Sequence, residues 1–85
     1  MGGSAWAMAK DITGGYILVT QRTFQQMSVA QLELLTIELN RRLREVRGEQ
    51  PSLDDQPALQ VRNRRIQRIT TANMVMQTYR RARRI

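Results

Sequence analysis

Residues 28–48, SVAQLELLTIELNRRLREVRG, decide the fold class. Leu32, Leu35, Leu39, Leu43 and Val46 recur at steps of three and four, which puts them on one stripe of an α-helix. Ser28 and Gln31 have the capping-box spacing, in which each side chain accepts from the other's backbone N–H. Gly48 reads as the C′ terminator, with Arg44 and Arg47 in the last turn, where the helix dipole favours cations. The spacing predicts a helix over 28–47, about 30 Å long. Glu38 stands four before Arg42, and Arg41 four before Glu45, which predicts two ion pairs along it.

The next stretch, GEQPSLDDQ at 48–56, is a turn. Pro51 blocks helical continuation, Asp54 or Asp55 can cap a second helix, and Pro57 suits that helix's first turn. The second helix is predicted over 57–82. Leu59, Ile66, Ile69, Asn73 and Met76 trace its stripe, which Ala72 and Tyr79 widen. Two amphipathic helices joined by a short turn form an antiparallel hairpin, so the class is all-α. Asn73 is either a polar residue that sets register or one at the hairpin edge with its amide in water. Tyr79 either packs on the first helix or stacks on a base. Met74, Val75 and Ile85 lie off the stripe and predict a second apolar contact, with the N-terminal arm or with a partner.

Upstream, four of the five glycines fall within residues 1–15, which are expected to be mobile or loosely docked. Trp6 is exposed on that tail or docked on the helices. Residues 16–20, YILVT, look like a strand with no partner in the chain. They pair with another molecule or, the preferred reading, form an extended arm packed on the helices. The organisation is thus an N-terminal arm over 1–26 and a helical hairpin domain over 27–85.

The chain has 85 residues, a net charge of +7, and no Cys or His. Disulfides, Cys/His metal sites and Cys or His catalysis are excluded. No Gly-rich phosphate loop or nucleophile elbow is present, so no enzyme activity, cofactor or small-molecule substrate is expected. No apolar run approaches the roughly 18–20 residues of a membrane span, and no secretory signal is visible. A cytoplasmic or organellar-interior location is expected, without secretion or membrane contact. A core this small is marginal without help from regular helix packing or a partner.

The charge is concentrated. Residues 56–85 hold eight Arg and no acid, while the remainder is close to neutral. Arg62, Arg64, Arg65 and Arg68 form one cluster, and Arg80, Arg81, Arg83 and Arg84 a second. A solvated helix face normally mixes signs. An acid-free run of Arg, whose planar fork suits phosphate, points to nucleic acid. The alternative is a homodimeric four-helix scaffold or DNA-binding regulator, assembled through the apolar stripes.

Arg64-Arg65-Ile66-Gln67-Arg68-Ile69-Thr70-Thr71 resembles the signature of the L-twenty-nine family of large-subunit ribosomal proteins, in which paired basic residues lead into an Ile-x-Arg-Ile-x-Thr core. Leu43-Arg44-Glu45-Val46-Arg47 is similar to the end of that family's first helix. The resemblance spans about 27–82. It implies a two-helix hairpin that binds ribosomal RNA among neighbouring ribonucleoprotein subunits, with Arg64, Arg65, Arg68 and Thr71 at the RNA. Thr70, where the family is usually basic, the acidic pair Asp54-Asp55 in the turn, and the N-terminal 25 residues depart from the pattern.

Overall fold

The computed structural model describes residues 4–84. Ile85, one of the three residues expected to make a second apolar contact, lies outside the described residues. Four helices follow in chain order: α1 (Ser4–Gly14), α2 (Gln21–Phe24), α3 (Val29–Gly48) and α4 (Gln56–Arg83). No strand occurs among the described residues, and the class is all-α as read.

Local chemistry starts and stops the two long helices close to where the sequence predicts. At the head of α3, Ser28 Oγ accepts from the Gln31 N–H at 3.1 Å and Gln31 Oε1 accepts from the Ser28 N–H at 2.8 Å. At the head of α4, Asp55 rather than Asp54 is the cap, its Oδ1 accepting from the Ala58 N–H at 3.2 Å, with Pro57 in the first turn. The reading of Gly48 as the C′ terminator is corrected. Gly48 belongs to α3, and the chain leaves through Glu49 in extended conformation, with φ −69° and ψ 129°. A glycine does end α1: Gly15 has φ 82°, the Tyr16 N–H donates to Asp11 O at 2.8 Å and the Gly15 N–H to Ile12 O at 3.1 Å. That pair of bonds is a Schellman motif, which needs a residue free to adopt positive φ. The ion pairs on α3 also differ by one step: Glu38 pairs with Arg41 at 3.5 Å and Arg42 with Glu45 at 2.9 Å. Both spacings put side chains on neighbouring turns, and each such pair contributes only a few tenths of a kcal/mol.

α3 and α4 run antiparallel. Thr36 Oγ1 meets Met76 Sδ at 3.0 Å, Asn73 Nδ2 donates to Asn40 Oδ1 at 3.4 Å, and Glu49 lies beside Arg62 and Arg65. Asn73 is thus at the hairpin edge but bonded to a polar residue of the facing helix. Leu32, Leu35, Leu39 and Val46 of α3 and Ile69, Ala72, Met76 and Tyr79 of α4 are buried, with Leu43 and Ile66 half-buried against them. Leu59 is half-buried near the turn.

The N-terminal region departs most from expectation. The loosely docked stretch is in fact helix α1, which packs on both α3 and α4. Ala9, Ile12 and Thr13 are buried, and the Thr13 hydroxyl donates to Ala9 O at 2.7 Å, which satisfies its one buried polar group. Gly14 and Gly15 lie at the C-terminal end of this helix, and the Met8-Ala9-x-x-Ile12-Thr13 spacing inside it is helical. Trp6 is half-exposed, with Lys10 Nζ 4.4 Å from its ring centroid. Only part of 16–20 is an arm as read. The backbone bends at Ile17, Ile17 and Val19 face the core, and Tyr16 and Leu18 face outward. α2, absent from the expected architecture, buries Phe24, whose ring stands 6.0 Å from that of Tyr79. Tyr79 is buried as a core residue, and its aromatic neighbour belongs to α2, an element the sequence reading did not contain. Of the off-stripe residues, Val75 packs on this core and Met74 stays exposed.

Because Ile12 is fully enclosed, Ile12→Ala is expected to lower stability by about 2–4 kcal/mol in urea denaturation. An undocked N-terminal arm would leave the midpoint unchanged.

Candidate nucleic-acid interface

The seven Arg of α4, with Arg84 at its C-cap, divide by what they touch. Arg62 Nε donates to Glu49 O at 2.9 Å and its Nη2 to Arg47 O at 3.0 Å. These carbonyls belong to the end of α3, where the final C=O groups have no helical partner. A side chain from the facing helix thus does the work expected of Gly48. Arg65 Nη1 lies 3.5 Å from Glu49 Oε2, on the same corner. Arg68 Nη1 donates to Thr13 O at 3.2 Å, in the last turn of α1. Its guanidinium lies across Gly15, where a Cβ would come within 2.8 Å of Cζ. Gly15 is required for its positive φ, whereas the guanidinium over it is the far end of a flexible side chain that could shift.

Arg64 is exposed, and nothing among the described residues bonds to it. In the distal cluster, Arg80 is half-buried and engaged within the chain. Arg83 lies over the Tyr79 ring, with Cζ 5.5 Å from its centroid, a cation–π contact. Arg84 ends α4 in left-handed conformation at φ 58°. Arg81 and Arg84 are exposed and, like Arg64, meet no carboxylate among the described residues. The expected site is thereby sorted. Arg62, Arg65 and Arg68 brace helix ends, whereas Arg64, Arg81 and Arg84 present their donors outward. Arg64 and Arg81 are separated by about 25 Å of helix.

The structure brings Arg64, Arg68 and Thr71 to one groove, between α4 and the segment Ile17–Val19, and turns Arg65 away to Glu49. Gln67 and Ile17–Val19 line the same groove and were not read as site residues. The strand-like composition of YILVT is their one signal in the sequence, and nothing in it shows that this segment lies against α4. Comparison of the chain with known protein families, curated proteins and solved structures finds no match. No helix among the described residues is long and apolar enough to cross a membrane.

The division of labour makes a measurable contrast. Arg62→Ala and Arg68→Ala each leave helix-end carbonyls without a donor, and are expected to cost about 1 kcal/mol in urea denaturation. Arg64→Ala and Arg81→Ala are expected to stay within about 0.5 kcal/mol of the parent.

Proposed function

We propose that this chain is a non-enzymatic RNA-binding structural protein of a ribonucleoprotein particle, working in the cytoplasm or an organelle interior. One observation carries the reading. After three arginines of α4 are committed to bracing the fold, Arg64, Arg81 and Arg84 still face outward on a helix without a single acid. Such charges repel one another, and phosphate oxygens relieve that repulsion while accepting hydrogen bonds from the guanidinium forks. The similarity of Arg64–Thr71 to the L-twenty-nine ribosomal signature supports RNA over DNA and ribosomal RNA as the partner. The homodimer assembled through the apolar stripes has less support. Leu32, Leu35, Leu39, Ile69 and Met76, which such a dimer would share, are at most 2% exposed within the single chain.

The test is binding to RNA across a range of salt concentrations. Replacing Arg64, Arg81 and Arg84 together by Ala is expected to weaken binding by more than about ten-fold at physiological salt and to reduce the slope of log K against log salt by about two to three. Helix content by circular dichroism should match the parent. Unchanged affinity and slope would sink the proposal.

A further inference from the structure

The outer side of α4 is one wall of a channel. Arg64, Gln67, Thr71, Met74, Thr78 and Arg81 succeed one another at steps of three and four, and all are exposed. The segment Ile17–Gln21 forms the opposite wall. Two grooves lie between these walls and meet at Thr71. The first, about 390 Å³, has Arg64 and Arg68 at its rim and Ile12 and Ala72 in its floor. The second, about 470 Å³, continues between Thr20–Gln21 and Met74, Val75 and Thr78. From Arg64 to Thr78 the channel runs about 21 Å, the length of about six stacked nucleotides.

Its chemistry changes along that length. Arg64 and Arg68 make one end basic and Arg81, one turn past Thr78, makes the other basic, while the middle holds hydroxyls, a thioether and aliphatic groups. The backbone N–H and C=O groups of Ile17, Leu18 and Val19 make no hydrogen bond to any described residue. They are donors and acceptors beside an apolar wall.

We infer that this channel holds an unpaired RNA strand in preference to a duplex, with phosphates at the two basic ends and bases along the middle. The inference rests on the RNA-binding reading and names the form of RNA. A duplex hides its base faces in the stack, so it gains little from Leu18, Met74 and Val75. An unpaired strand offers those faces to apolar groups and its base edges to free backbone donors and acceptors.

Fluorescence anisotropy of a labelled, non-self-complementary oligoribonucleotide, alone and annealed to its complement, tests this. The single strand is expected to bind at least about ten-fold more tightly than the duplex. Met74→Glu and Thr71→Glu, both at exposed positions, should each cost about ten-fold on the single strand, whereas Leu34→Glu, the same charge change on α3, should cost less than about three-fold. Leu18→Glu repeats the test from the opposite wall without altering a helix, at a residue 88% exposed. Equal affinity for strand and duplex, or equal losses in Met74→Glu and Leu34→Glu, overturns the channel and leaves RNA binding standing. Absence of binding to either RNA overturns both readings.

Discussion

The antiparallel register of α3 against α4 is the constraint on which the rest of the molecule depends. It sets Thr36 against Met76, Asn40 against Asn73 and Glu49 beside Arg62 and Arg65. With that register, the leucine stripe of α3 meets the Ile69–Met76 stripe of α4 and water is excluded between them. A slip by one helical residue rotates each stripe by about 100° and turns its apolar side chains out of the seam. The same register delivers Arg62 to the end of α3. It also leaves one side of the hairpin as the seat for α1 and α2, whose Ala9, Ile12 and Phe24 complete the core.

Arginine serves the fold before it serves a ligand. In a two-helix seam this short, the helix ends are a large share of the structure, and their unpaired carbonyls need donors. The guanidinium supplies several donors on a long stem, so one side chain can reach across to a neighbouring helix. Arg62 does this for α3 and Arg68 for α1. A run of like charge therefore overstates the binding surface. The outward residues, Arg64 and Arg81 with Arg84 beyond, are exposed and meet no carboxylate among the described residues. Their charge has no internal use, which makes it available to phosphate.

The two long helices were legible because their signals are local. Capping residues, apolar periodicity and a proline-bearing turn all act within a few residues of one another. Of the stripe residues, Leu32, Leu35, Leu39, Val46, Ile69, Ala72 and Met76 lie in the core. The N-terminal helix was not legible, because its glycine-rich composition outweighed a helical pattern only three small turns long. Ala9 and Thr13 carry little apolar signal, and they are buried because a groove between two other helices exists to receive them. The candidate site was legible as a set of residue types. The sorting of Arg62, Arg65 and Arg68 from Arg64 and Arg81 was not, since nothing in their spacing along the chain shows that Glu49, Arg47 and Thr13 stand opposite.

The sequence by itself determined that the chain is helical, where α3 and α4 begin and end to within a residue or two, and that its excess charge lies on the second of them. These are consequences of backbone hydrogen bonding and side-chain periodicity. Only the tertiary structure decided that α1 docks, that Tyr79 meets Phe24, and that Ile17–Gln21 lies along α4 to make a channel. Those contacts join residues far apart in the chain, and each is favourable only once the others have excluded water from the shared core.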